Sequence, residues 1–262
     1  MNFFEALVIG IIQGLTEFLP VSSSGHIELS KAMFGIDLMA KESLFFTLTL
    51  HLATALSTII VFRKNISGLL IKMIQGDKES LGFASKIVVS MIPAGVMGFF
   101  LEDVIASVYH QNILLVGLML LITALLLYLS DRIKTSTRAL THKKALMMGF
   151  SQAVAILPGI SRSGATIATG IFLKSDRKSV TEFSFLMVVP IILGSMLHSI
   201  LNASSFELTM EWMPILVGFF SSLIMGIVAC IWMVRLVVLS QLKYFAIYCA
   251  VVGLWAMGYE IF

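Results

Sequence analysis

Six apolar runs, residues 44–62, 83–101, 111–130, 181–201, 212–234 and 242–262, punctuate the chain. Each holds about 20 residues, the length a helix needs to cross a hydrocarbon core of about 30 Å. Backbone placed in lipid must satisfy its own N–H and C=O groups, so runs of this kind are expected as helices. The rest of the sequence agrees with a lipid solvent. Apolar residues make up 58% of the chain and charged residues 13%, the latter about half of the usual share. A mean hydropathy of +0.97 excludes a soluble globule and a disordered chain alike. With 18 Lys and Arg against 15 Asp and Glu, the net charge of +3 gives no footprint for nucleic acid. Cys230 and Cys249 lie inside apolar runs and read as small core residues, with no disulfide framework. The N-terminus carries Glu5 where a secretory signal has Lys or Arg, and it is expected to be mature structure.

Two further apolar segments are broken. Residues 1–34 are interrupted by PVSSSGH at 20–26, and residues 145–173 by PGISRSGAT at 158–166. In the second, the apolar arms 145–157 and 165–173 are each too short to cross alone. Charge decides how it sits. If both segments dip in and return, loops 63–82, 131–144, 173–180 and 235–243 share one side and hold 14 Lys and Arg. The opposite loops, 35–43, 101–110 and 202–211, hold only Lys41, with six acids: Asp37, Glu42, Glu102, Asp103, Glu207 and Glu211. The positive-inside rule puts the basic side in the cytoplasm, and a crossing by 145–173 would scramble that division. Segment 145–173 is therefore expected to be re-entrant. For residues 1–34 the charges decide nothing.

A weak internal repeat supports the same layout. Each half opens with a Gln, then a Pro, then Ser-x-Ser-Gly: Gln13, Pro20 and Ser22–Gly25 in the first, Gln152, Pro158 and Ser161–Gly164 in the second. Three spans follow each, and because three is odd the second half is inverted, so the two loops can meet near the midplane. The expected architecture is one all-α polytopic membrane domain, 1–262, with six transmembrane helices and two re-entrant helical hairpins. Repeat one covers about 1–130 and repeat two about 145–262.

The loops carry the chemistry, because ionisable groups at membrane depth are expensive and usually functional. Loop two reads as a phosphate cradle. Gly159 and Gly164 permit close backbone approach, and a helix starting near Gly164 turns its free N–H groups towards the loop. The planar fork of Arg162 suits a phosphate, and Ser161, Ser163 and Thr166 add hydroxyls. Loop one supplies acid–base groups: Gln13 and Glu17, four apart on one helical face, and His26. A serine of Ser22, Ser23 and Ser24 could act as nucleophile if His26 or Glu17 takes its proton. An ion pair of Glu17 with Arg162 that stitches the loops is the plainer alternative, and a phosphate ester could displace it. The other histidines have bland readings. His110 and His142 fall in loops, while His51 and His198 are expected to be packed or hydrogen-bonded within spans. Gly194, Gly218 and Gly226 are expected to let helices approach closely.

QGLTEFLPVSSSGH at 13–26, PGISRSGAT at 158–166 and EFSFLMVVP at 182–190 together resemble the bacterial undecaprenyl-diphosphate phosphatase family, associated with bacitracin resistance. The resemblance covers essentially the whole chain. It implies an inner-membrane hydrolase, with its site reached from the periplasmic side, that converts undecaprenyl diphosphate to undecaprenyl phosphate and so recycles the lipid carrier of peptidoglycan synthesis. The charge division puts the C-terminus outside. It places functional positions on Glu17, Ser23, His26, Ser161, Arg162 and Thr166, with Gln13, Ser22, Ser24, Gly25, Ser163 and Gly164 at the substrate. It also implies a divalent cation, Mg2+ or Ca2+, on Glu17. The expected partners are this lipid substrate and membrane lipid, without nucleic acid, and a homodimer is left open. The first motif of the family begins with Glu or Gln. Gln13 stands here, so Glu17 alone would serve as the carboxylate of that helix face.

Two other classes share parts of this pattern. Ser24-Gly25-His26 also resembles part of the acid-phosphatase-like lipid phosphatase signature, but no His follows Ser161-Arg162 at the spacing that signature requires. A transporter or flippase of polyprenyl phosphate would suit the inverted repeat, with the acid–base groups coupling protons.

Overall fold

A computed structural model describes residues 1–36, 40–109, 112–134, 136–202, 211–239 and 241–261. The described chain is helical, without strands. Helices α1 (Phe3–Phe18) and α2 (Ser23–Phe34) form the first hairpin, and α7 (His142–Val154) and α8 (Arg162–Phe172) the second. Between them lie α3 (Ala40–Val61), α4 (Arg63–Ile74), α5 (Lys78–Tyr109) and α6 (Ile113–Asp131). After the second hairpin come α9 (Arg177–Asn202), α10 (Trp212–Val238) and α11 (Leu242–Ile261).

Local signals set the hairpin ends. Asn2 and Glu5 close a capping box at the start of α1. Pro20 forces Leu19 into an extended conformation, φ −66° and ψ 141°, and the helix stops. Ser22 then caps α2, which ends at Gly35 in the left-handed region. Thr141 caps α7 and Ser161 caps α8 through the amide of Gly164.

Every expected apolar run is helical. Among the described residues, four helical stretches are long and apolar enough to cross a membrane: Lys78–Gly98, Ile113–Asp131, Trp212–Val238 and Leu242–Glu260. Phe45–Val61 with Arg63–Ile74 makes a fifth if the two, bent by 73°, count as one span. Stretch 63–82, expected as a loop, differs. Its first part is the helix α4, because Ile66, Leu70, Met73 and Ile74 fall on one face and Lys64 and Lys72 on the other. None of its residues is buried, and Ile74 is 87% exposed. Stretch 101–110, also expected as a loop, differs too: its backbone is helical to Tyr109 as the end of α5. The side chains of Glu102 and Asp103 lie outside those described, as do His110, most of 202–211 with Glu207, Asp37, Lys41, His198 and Phe262.

Helix packing crosses between the halves. The first hairpin packs most extensively through α1 on α10, the second through α7 on α5, and α6 pairs with α11. Both hairpin contacts use glycine. A Cβ on Gly14 would lie 2.6 Å from the Ser222 carbonyl oxygen, and one on Gly149 2.3 Å from that of Ser90. Gly218 and Gly226 meet Phe46 and Ser57 as closely as expected, but among the described residues nothing comes within 4 Å of a Cβ on Gly194, and its expected packing role is corrected. The main core gathers Phe18, Leu120, Met148, Ile167, Phe183 and Phe185 with Cys230 and Cys249, both buried free thiols.

Candidate active site

The two hairpin tips interlock. Ser22 Oγ accepts from the amides of Gly25 (3.3 Å) and Gly159 (3.1 Å), the second bond crossing from one hairpin to the other. Ser163 Oγ donates to the Leu19 carbonyl at 3.3 Å. A Cβ on Gly25 would stand 3.1 Å from Gly159 Cα, so the tips touch backbone to backbone. Gly159 itself has φ +95°, which only glycine adopts readily. Ser22 has φ +71°, a left-handed conformation that is unusual for serine and held by its own caps. On the far side Thr123 of α6 accepts from the Ser161 amide and donates to the Gly159 carbonyl, each at 3.0 Å.

The tips share a chemical pattern. Ser22 and Ser161 each cap the following helix, and each hydroxyl lies near the serine two residues on, Ser24 at 3.4 Å and Ser163 at 3.3 Å. The position after the cap differs: Ser23 in the first tip, Arg162 in the second. Both reach Glu17. Ser23 Oγ donates to Glu17 Oε2 at 2.6 Å, and the Arg162 guanidinium pairs with Oε1. Gln13 Nε2 also donates to Oε2, at 3.1 Å.

This pair is set against both helix dipoles. Glu17 lies in the last turn of α1, where a carboxylate meets the negative end, and Arg162 is the first residue of α8, where a cation meets the positive end. Neither charge would be stable there alone, and the Glu17 side chain is only 5% exposed. Each compensates the other, and an anion arriving at α8 would find both Arg162 and the helix terminus in its favour. A narrow crevice, too tight in this conformation to admit a water molecule, lies beside the pair, lined by Glu17, Phe18, Thr54, Thr58, Arg162, Phe185, Val188 and Ile192.

Of the residues expected at the site, Gln13, Glu17, Ser23 and Arg162 are brought together, and Ser22, Ser24, Gly25, Ser161, Ser163 and Gly164 form the joint that holds them. Two stand elsewhere. His26, expected beside Glu17, turns to α11. Its Nδ1 lies 2.8 Å from the Ser22 carbonyl oxygen, its Nε2 2.9 Å from the Tyr248 hydroxyl, and its ring stacks on Tyr248. Its ring is drawn there because both nitrogens find partners, one in the Ser22 carbonyl and one in Tyr248 of α11. Thr166 is buried one turn into α8, hydrogen-bonded to Ser184 Oγ at 2.6 Å and to the Arg162 carbonyl.

His51 of α3 joins the site instead, with Nδ1 3.2 Å from Gln13 Nε2 and 3.6 Å from Glu17 Oε2. Its hydrogen-bonded reading holds, but its partners are the site residues. A signal was there: His51, Thr54 and Thr58 form a polar stripe at helical spacing, in a run whose other polar residues are Thr47, Thr49 and Ser57. No three His, Cys, Asp or Glu side chains cluster among the described residues. Any cation here would rest on Glu17 and neutral donors. Gln13 Oε1 qualifies, being buried without a hydrogen-bond partner among the described residues.

Fold and site together define an all-helical membrane protein with a charged centre where two helical hairpins meet. Residues 6–255 match the bacitracin resistance protein BacA family, and the chain belongs to that family. It is 47% identical to the undecaprenyl-diphosphatase of Christiangramia forsetii over 98% of both chains. Identity is 42% to that of Parabacteroides distasonis over 97% of each. It is 34% to that of Halothermothrix orenii over 97% of this chain and 96% of the relative.

Proposed function

We propose that the chain hydrolyses the phosphoanhydride bond of undecaprenyl diphosphate, giving undecaprenyl phosphate and orthophosphate, and thereby recycles the lipid carrier and confers bacitracin resistance. Full-length identity of up to 47% to proteins named for this activity carries the reading. The site geometry supplies its mechanism. A diphosphate that opens this crevice by parting the Glu17–Arg162 pair competes with Glu17 for Arg162, whose fork takes two phosphate oxygens while the α8 N-terminus faces the same anion. Glu17, released from Arg162, keeps Ser23 and Gln13 on Oε2. It is placed to accept a proton from the Ser23 hydroxyl, or from a water standing where that hydroxyl stands, as the oxygen attacks the terminal phosphorus. The P–O bond to the bridging oxygen breaks in line, and undecaprenyl phosphate leaves. Attack by water gives orthophosphate at once, whereas attack by Ser23 leaves a phosphoserine that a water, giving its proton to Glu17, then hydrolyses to orthophosphate and the free serine. His26 steadies the tip of the first hairpin through Ser22. Glu17 and Gln13 Oε1 would hold Mg2+ or Ca2+ together with substrate oxygens, and such a cation neutralises charge that builds on the phosphates.

The same proposal includes the membrane layout: six crossings, two re-entrant hairpins and an inverted repeat of about 1–130 and 145–262. Its support is the exchange of packing partners between halves, the paired caps Ser22 and Ser161, and the 14-to-1 division of Lys and Arg between the two sets of loops. It puts the basic loops in the bacterial cytoplasm, the C-terminus outside and the site open to the outer face. Single cysteines introduced into 101–110 should react with an impermeant thiol reagent on intact cells, and those in 173–180 should not. The opposite pattern would overturn the inverted layout. A flippase of polyprenyl phosphate is the competing reading, and phosphate release in detergent, where no gradient exists, separates the two.

A further inference from the structure

We infer that His51 is a positioning residue of the catalytic centre, fixing the Gln13 amide and through it aiming the Glu17 carboxylate. The inference rests on the hydrolase reading above. Glu17 has two sets of partners. Oε1 belongs to Arg162, which must turn to the phosphate during turnover. Oε2 keeps Ser23 at 2.6 Å and Gln13 at 3.1 Å. If Ser23 or a water in its place gives up its proton, the Gln13 amide is the remaining contact that can hold the carboxylate's direction.

A carboxamide is nearly symmetric in shape but opposite in polarity at its two ends. Only its NH2 end can face a carboxylate, since a flip would set Oε1 against Glu17 Oε2. Something must hold it in the useful sense, because Gln13 is fully buried and its Oε1 is unpartnered among the described residues. His51 does this. Gln13 Nε2 carries two hydrogens; one goes to Glu17 and the other points to His51 Nδ1 at 3.2 Å. The ring nitrogen is then an acceptor, which places the ring hydrogen on Nε2. At 3.6 Å from Glu17 Oε2, His51 is outside hydrogen-bonding range of the carboxylate and acts through the amide. Thr54, on the same stripe of α3, donates to the His51 carbonyl at 2.9 Å and holds that turn of the helix. A histidine that merely filled space would have no reason to present a lone pair to a buried amide.

The test uses purified full-length protein in detergent with undecaprenyl diphosphate, and separates kcat from KM. Asn places its side-chain oxygen near the position of Nδ1, and Leu has almost the same shape without the acceptor. His51→Leu should lower kcat roughly tenfold, the size expected for losing one neutral hydrogen bond in the transition state, with KM within about twofold of the parent. His51→Asn should recover kcat to within about threefold of the parent. Gln13→Leu should lose at least as much as His51→Leu, and the double variant should fall no more than about twofold below Gln13→Leu alone, because His51 acts through Gln13. Equal losses in the Leu and Asn variants, or losses that multiply in the double variant, would overturn the role of His51. Should His51→Leu fail to run as a monodisperse species, the Asn variant against Gln13→Leu carries the comparison. A parent that releases no phosphate would instead reject the hydrolase reading, so the two failures are distinguishable.

Discussion

Arg162→Ala should reduce kcat roughly 30- to 1000-fold, the loss expected when a charged hydrogen bond to a desolvated anion, worth about 2–4 kcal/mol, is felt mainly in the transition state. Arg162 is the only basic side chain in either hairpin break, 20–26 or 158–166, and it stands at the start of α8 facing the crevice. Arg162→Lys should recover only part of the rate, because an ammonium offers a point charge where the guanidinium bridges two oxygens. Lys178→Ala, in the first turn of α9 and 66% exposed, should change little. The comparison requires protein shown to be folded, since Arg162→Ala leaves the buried Glu17 without its counter-charge. A folded Arg162→Ala enzyme with turnover within a few-fold of the parent would remove the phosphate cradle.

Glu17→Gln is the second large effect, and it separates catalysis from stability. The carboxylate receives Arg162, Ser23 and Gln13, so removing its charge abolishes the proton acceptor for the attacking oxygen. Loss of such a base lowers rate by about 100- to 10,000-fold. It also strands Arg162, and breaking one side of a buried pair costs about 3–5 kcal/mol. The double variant Glu17→Gln, Arg162→Met should therefore unfold at a higher temperature than Glu17→Gln while remaining inactive. Chelation should silence the parent if Glu17 holds a divalent cation, whereas full activity in excess chelator would leave Glu17 with the proton role alone. Recovery of stability without activity identifies the pair as a functional arrangement. If Glu17→Gln kept near-parental turnover, the proton role would fall as well.

These substitutions could be chosen because the hairpin tips are written plainly in the chain. Pro20 ends α1, Ser22 and Ser161 begin α2 and α8, and the lone Arg162 must find a carboxylate or a phosphate at that depth. Glu17 is the acid of the first hairpin that can answer it. What spacing could not supply is the identity of the neighbour across a helix–helix contact. His26 lies nine residues beyond Glu17 in sequence, yet its ring goes to Tyr248, because α11 passes that face of α2. His51 sits in a run whose hydropathy suggests packing, yet α3 lies against α1 at Gln13. Stretch 63–82 reads as a basic loop by charge counting, which ignores the apolar face that folds α4. Gly194 shows the same limit in reverse: a small residue permits a close approach, but only a neighbouring helix can make one.

The central claim is that two hairpin tips form a phosphatase centre, and orthophosphate release measures it most directly. Purified full-length protein in detergent, with a divalent cation and undecaprenyl diphosphate, should release one orthophosphate per substrate and leave undecaprenyl phosphate. Folded Glu17→Gln and Arg162→Ala proteins should release almost none under the same conditions. No release by a folded parent, or equal release by the parent and both variants, would contradict the account.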